Sequence, residues 1–395
     1  MRWLFYDPHD RREAAGHAQV MSKIDAWWKA FEKQSHDLDD LFHNRTNWDL
    51  PAWMGQHLQA IHPDLMWEFG ASRSGLGNRL VITPESERWL RPLVATIIER
   101  APELPGWEFY AYRLPEAVDA ALAAVEARVE FDLSQAAVEA HLASCGKIDL
   151  CYFLPELHPE NSEVAQGAAF VATEALLGEE TLDRWIGCID VASRQRKRPM
   201  RGDACRLLGL DRVQPTVEAL IGSRIEQLPA EATHRMLERA DWSGFELHPD
   251  EADDYAGQSD LYIGISGRPD VFEAAHNGGV FDSQCHSRCG ETFCYLKIDG
   301  EDGLEGSKFN DRAEIEEALN NELVAGGVGC CFGGGTGMQY SYIDLALTDV
   351  RKSAELIRHI LLDAGIPQRT WLQFFDDTLA REWIGVHRNA PQPPM

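Results

Sequence analysis

Between residues 292 and 376 the spacing of apolar residues switches repeatedly between the twofold period of a strand and the 3.6-fold period of a helix, and few folds accommodate the resulting series. The pattern predicts a strand over 292–298, a helix over 312–324, strands over 327–332 and 340–347, a helix over 350–364 and a strand over 370–375. Asp349 caps the second helix and Gly365-Ile366-Pro367 stops it, with Leu356, Ile357, Ile360 and Leu361 turned toward the sheet. The order β-α-β-β-α-β is the split βαβ pattern of a ferredoxin-like fold. A strand over 260–266 and a short helix over 269–276 precede it.

A chain of 395 residues exceeds what one hydrophobic core usually serves, so two domains are expected. In the first half, Ile24, Trp27, Trp28, Phe31, Leu38, Leu41 and Phe42 form one helical stripe over 22–43, with Ser22 as its N-cap. A short helix follows Pro51. Strands at 64–71 and 79–83 are joined across a Ser/Gly/Asn turn. Pro84 opens a helix to about residue 100, WEFYAYR (107–113) is a strand and Pro115 starts another helix. A strand at 147–154, a helix at 164–177 and a strand at 185–191 complete this half. The fold class is therefore α+β. The domains are an N-terminal one at 1–193, with helices on a small mixed sheet, and a C-terminal one at 216–395, with a ferredoxin-like core at about 291–376. A basic linker at 194–215 joins them, and the Pro-rich end at 390–395 reads as disordered.

Charge narrows the function classes. Lys and Arg number 37 against 64 acids, a formal charge of −27. Such a surface repels phosphate backbones and anionic lipid, so neither nucleic acid nor membrane is an expected partner unless a local basic patch overrides the field. The run RQRKRP (194–199), with Arg201, reads as a solvated linker. No stretch approaches the length of a membrane helix, and Asp7, Asp10 and Glu13 interrupt the N-terminus before any signal-peptide core. Nine scattered cysteines form no disulfide framework and point to reduced thiols, hence to a cytoplasmic location.

At WEFG (67–70), LVITPE (80–85) and AP-x-LPGWEFYAYR (101–113) the first half resembles a module of bacterial proteins that have no established activity. GGGTG-x-x-Y-x-YID (333–344) and the helix after it resemble ferredoxin-like regulatory or accessory domains. The resemblance spans about 22–125 and 290–376. It implies a soluble bacterial protein and transfers no catalytic residue to any position.

Candidate chemistry is sparse. The run Gly333-Gly334-Gly335-Thr336-Gly337 mimics phosphate-loop spacing, but glycine stands where the lysine belongs. The residues after it alternate like a strand instead of opening a helix, so the glycines read as a hairpin, or as a place where another backbone comes close. No cofactor is expected. Metal ligands are densest at His276, Cys285, His286, Cys289 and Cys294; of these Cys285, His286 and Cys289 are the candidate set, although C-x₃-C is not the usual zinc knuckle. Cys285 and Cys289 would meet on one helical turn as a redox pair. Acidic runs at 299–305 and at Asp250, Glu251, Asp253 and Asp254 read as solvated loops, and Asp376-Asp377 lack a partner base. Eight tryptophans crowd the first 107 residues; core packing explains most of them, and those left outside it would form an aromatic functional surface rimmed by acids.

Together these features favour a non-enzymatic protein-binding or regulatory module. The alternatives are an enzyme or small-ligand binder with a pocket between the halves, near the glycines and Asp376, and a metal or thiol sensor.

Overall fold

The computed structural model describes residues 2–193, 207–300, 304 and 306–395. The basic run 194–199, Arg201 and Cys205 lie outside these residues, as do Glu301, Asp302 and Glu305 of the acidic loop. The fold is mixed α+β, with two small mixed sheets and one larger antiparallel sheet. The chain divides into two compact units, Val20–Gln227 and Leu228–Met395 joined by Met1–Gln19.

Helix α1 (Arg11–Phe42), which lies in the first unit from Val20 onward, begins eleven residues before Ser22. Its cap is Asp10, whose carboxylate accepts the amides of Arg12 at 2.7 Å and Glu13 at 3.0 Å. Asp49 caps α2 (Leu50–His57) in the same way, through Ala52 N. Strands β1 (Met66–Ala71) and β2 (Asn78–Thr83) pair antiparallel, and β3 (Trp107–Tyr110) adds parallel to β2. Pro84 does not open the next helix. Glu85 takes a left-handed conformation (φ 51°) and donates its amide to Thr83 Oγ1, and α3 starts only at Arg91 (Arg91–Glu99). Trp28 and Phe31 of α1 meet Phe109 edge-on, and Trp28 Nε1 donates to Ile97 O at 2.8 Å.

A second three-stranded sheet comprises β4 (Ala137–Leu142), β5 (Ile148–Leu154) and β6 (Ile186–Ser193) in that order. Around it lie α4 (Val118–Val129), α5 (Ser162–Leu177), α6 (Glu179–Trp185) and α7 (Val213–Gln227). Of the segment read as linker, Leu208 bridges Val138 and residues 210–212 form a 3₁₀ turn leading into α7. Val213 and Val217 are buried with Val138, Leu150 and Ala169 in one apolar cluster.

The second unit is built on a seven-stranded antiparallel sheet. Its elements are α8 (Thr233–Leu237), β7 (Ser243–Glu246), β8 (Leu261–Ser266), α9 (Pro269–His276), β9 (Thr292–Asp299), α10 (Arg312–Ala325), β10 (Gly329–Gly337), β11 (Tyr340–Leu347), α11 (Val350–Ala364), β12 (Thr370–Phe374) and β13 (Trp383–Gly385). The strand order is β13-β12-β9-β11-β10-β8-β7. One face carries α10 and α11, where Ile315, Leu319, Leu323, Ile357 and Leu361 meet Leu296, Ile343, Leu345 and Leu372. The other face carries Tyr295, Tyr340, Tyr342 and Trp371 beneath Tyr255 and Phe272.

The glycine run is not the hairpin. Gly333, Gly334 and Gly335 lie inside β10, and the turn falls at Met338-Gln339. A Cβ on Gly334 would stand 2.3 Å from Tyr342 O, and one on Gly335 would stand 2.3 Å from Ile263 O, so β8 and β11 close on this strand nearer than any side chain permits. The C-terminal tail is anchored, with Trp371 Nε1 donating to Pro391 O at 2.7 Å.

Candidate functional site

The first unit gathers the residues of its three signature stretches into one ion-pair network. Glu179, buried after α5, accepts Thr83 Oγ1 at 2.5 Å, Arg113 N at 3.0 Å and Arg91 Nη2 at 2.8 Å. Arg91 also pairs with Asp183 at 2.7 Å and lies over the Tyr112 ring. Arg113 reaches Glu68, Glu85 and Glu174 at 3.3, 2.5 and 3.0 Å, and Arg79 pairs with Glu116. Each of these arginines is matched by carboxylates, so the network braces β2 and the segment after β3 against α5 and α6.

Cys285 is buried in a single 3₁₀ turn (Ser283–Cys285), not on a helical turn shared with Cys289. Cys289 Sγ lies 3.6 Å from Ala230 O, and the His286 ring stacks on Phe281 with Nδ1 3.7 Å from Asp270. His276 bonds Phe272 O and stacks on Phe272, and Cys294 is buried against α10 and α11. Among the described residues no group of three or more His, Cys, Asp or Glu side chains is arranged to hold a metal ion. Cys330 and Cys331 face opposite sides of the sheet.

Two buried carboxylates of the second unit, Asp376 and Asp344, are bound internally. Asp376 accepts Ser283 N at 2.7 Å and Ser283 Oγ at 2.5 Å, which ties the 281–283 segment to the end of β12; burial pushes its carboxyl up to about 7. Asp344, in the centre of β11, accepts Gln258 Nε2 at 2.9 Å and faces the bare Gly333; burial raises it to about 7 as well. Beside it Asp260 receives Gln339 N, Tyr340 N and Tyr342 OH. Lys297 is fully buried, donates to Tyr255 O and Gly257 O and lies 4.0 Å from the Tyr340 ring centre; burial lowers it to about 8. The arrangement organises the face beneath Tyr255.

The tryptophans of the first 107 residues are buried or half-buried, so they do not form the exposed aromatic surface that their density suggested. Both Trp27 and Trp28 are inside, because Trp53 and Phe109 flank α1 on two sides and widen its apolar stripe. The exposed tryptophan among the described residues is Trp242, at 48%, directly before β7.

There the sheet runs past its helices. Gly334 pairs with Ile343 on one side and Ile265 on the other, and Thr336 pairs with Ser341 and Ile263, so Ile263 and Ile265 share the face that carries α10. No residue of β7 or β8 joins the cluster under the helices. Ile263 is 53% exposed and Ile265 42%. Arg312, in the first turn of α10, pairs with Glu316 and marks the border of helix cover. Between it and the edge lies an open groove of about 420 Å³, floored by Gly244, Gly264, Ile263 and Ile265. On the reverse face Phe245 stacks on Phe272 at 4.1 Å, which pins the edge strand in place. Beyond β7 no further strand pairs among the described residues. The stretch 238–254 that contains it holds seven acids, Glu238, Asp241, Glu246, Asp250, Glu251, Asp253 and Asp254, against Arg239.

No helix among the described residues is long and apolar enough to cross a membrane. No protein family, curated protein or solved structure matches this chain.

Proposed function

We propose that the chain is a non-enzymatic protein-binding module whose open sheet edge receives an extended segment of a partner, rich in alternating basic and apolar residues, as an added strand beside β7. The observation that carries the reading is the pair Ile263 and Ile265, half-exposed on the part of the α10 face of the sheet that the helix leaves uncovered. Strand addition uses main-chain hydrogen bonds for affinity and alternate side chains for specificity. Apolar side chains of the segment would cover the two isoleucines and Trp242, and its basic ones would meet the carboxylates of 238–254. Charge complementarity selects such a partner over an acidic segment or a second copy of a chain that carries −27. The internal order β9-α10-β10-β11-α11-β12, with β12-β9-β11-β10 as neighbours, supports a ferredoxin-like core extended by β8 and β7 on one edge and β13 on the other.

The test uses two labelled eight-residue peptides, one alternating Lys and Val and one alternating Glu and Val, read by fluorescence anisotropy at two salt concentrations. The Lys/Val peptide is expected to bind and to protect the amides of 243–246 from hydrogen exchange. Covering the exposed half of each isoleucine contributes about 1 kcal/mol, so Ile263→Glu with Ile265→Glu should weaken binding by roughly tenfold or more. Equal binding of both peptides, indifference to the double substitution, or self-association through β7 in sedimentation would overturn the reading.

A further inference from the structure

A second cavity, on the opposite edge of the same unit, carries the reverse charge. It has a volume of about 290 Å³ and is lined by Arg2, Arg351, Arg358 and Arg388 together with Phe5 and Trp383. The segment from Arg2 to Phe5 forms one wall because buried Glu382 accepts three successive amides, Trp3 N at 2.6 Å, Leu4 N at 3.0 Å and Phe5 N at 2.9 Å. Arg2 lies 3.7 Å from the Trp383 ring centre, donates to Trp383 O and is neutralised by Glu13 at 2.7 Å. Arg358 donates twice to Gly385 O, at 3.0 and 2.9 Å, and pairs with the largely exposed Glu355.

The other two guanidinium groups have no carboxylate among the described residues. Arg351, one helical face with Arg358 on α11, donates to Leu4 O and stands over the Phe5 ring. Arg388, exposed beyond β13, has no partner among the described residues. The acids on the lining are Asp7, whose Oδ1 is taken by the His9 amide, and Glu355. Glu13 offsets Arg2 and Glu355 offsets Arg358, which leaves Arg351 and Arg388 against Asp7 on the lining, an excess of one positive charge in a molecule of −27. A guanidinium presents a planar fork that fits the oxygens of a carboxylate or phosphate, and the field of the whole chain leaves few other places where an anion would settle.

We infer that this cavity binds a small organic oxyanion, its charged group between Arg351 and Arg388 and its apolar body against Phe5 and Trp383. The volume lies at the lower end of small-molecule sites, which suits a ligand of one ring and one charged group. The site is separate from the β7 edge, and each can fail without the other.

Titration calorimetry of the full chain with benzoate, phenyl phosphate and the neutral benzyl alcohol tests it, the first two separating a carboxylate ligand from a phosphate one. At least one oxyanion should bind saturably below ~10 mM, the alcohol should not, and Arg351→Gln with Arg388→Gln should weaken binding at least about tenfold. Because Arg351 also holds Leu4 O, Arg388→Gln alone is the control that leaves the wall intact, and it should still weaken binding severalfold. Absence of saturable binding of both oxyanions, equal binding of the alcohol, or unchanged affinity in Arg388→Gln would each overturn the assignment.

Discussion

Replacing Asp344 by Asn should remove one component of the pH dependence that the wild-type sheet carries between weakly acidic and alkaline conditions. Asp344 is buried to within 1% on β11, its Oδ1 accepts Gln258 Nε2, and Gly333 leaves no side chain beside its second oxygen. Burial raises its carboxyl from 3.8 to about 7, so between those values the folded chain holds a proton that the unfolded chain releases. Unfolding then liberates a proton, and stability falls as pH rises, by about 1.4 kcal/mol per pH unit, until the folded carboxyl ionises near 7. Between pH 5.5 and 7 the loss is about 2 kcal/mol, with a plateau above. Asparagine preserves shape and the acceptor for Gln258 but does not titrate. The stability of the Asn variant relative to wild type should therefore improve by about 2 kcal/mol between pH 5.5 and 8.5. Asp376 is raised for the same reason and adds its own slope to both proteins, so the difference between them isolates Asp344. Urea unfolding, scored by a maleimide pulse at fixed pH on Cys294 and Cys330, reports on this unit alone, since both thiols lie in its core. Parallel stability curves for the two proteins would refute the argument.

Further substitutions probe the packing. Glu179→Ala removes the carboxylate shared by Thr83, Arg91 and the Arg113 amide and should cost ~3 kcal/mol or more in the first unit, read by urea melts, because it takes the acceptor from two donors and leaves buried Arg91 with Asp183 as its one carboxylate. Gly334→Ala should destabilise the sheet by several kcal/mol, on the order of a severe core substitution, since its Cβ meets the Tyr342 carbonyl and no flexible side chain can yield; Gly222→Ala, on the open face of α7, should by contrast stabilise by up to about 1 kcal/mol.

Local signals carried most of the element order. The periodicities over 292–375 correspond to β9 through β12, and the Asp349 cap is present, with the amide of Lys352 donating to it at 3.0 Å. The differences lie where a long-range partner decides a conformation. Gly333 to Gly335 carry the composition of a turn, yet two neighbouring strands press on them and keep them in β10. Ser22 is a good cap in isolation, but Asp10 supplies the same oxygen earlier and nothing between them breaks the helix. The short strands β7 and β13, of four and three residues, offer too few positions for an alternating pattern to stand out.

The candidate site was harder to read for a related reason. Tryptophan density singles out the first 107 residues, but whether an aromatic residue is exposed depends on what its helix or strand packs against, and α1 finds aromatic partners on two sides. LYIGIS (261–266) alternates like any half-buried strand, and its pattern states only that two faces differ. Which face stays open is decided by where α10 begins. Asp311 caps that helix through Glu314 N, so its first turn places Arg312 beside Thr336 of β10 and its axis stops short of β8. A cap some fifty residues downstream thus leaves Ile263 and Ile265 uncovered, and no window on the strand itself contains that information. A variant that extended α10 by a turn on its N-terminal side, with an apolar residue aimed at Ile263, should close the groove and remove peptide binding while raising the melting temperature, a pairing that separates loss of the surface from loss of the fold.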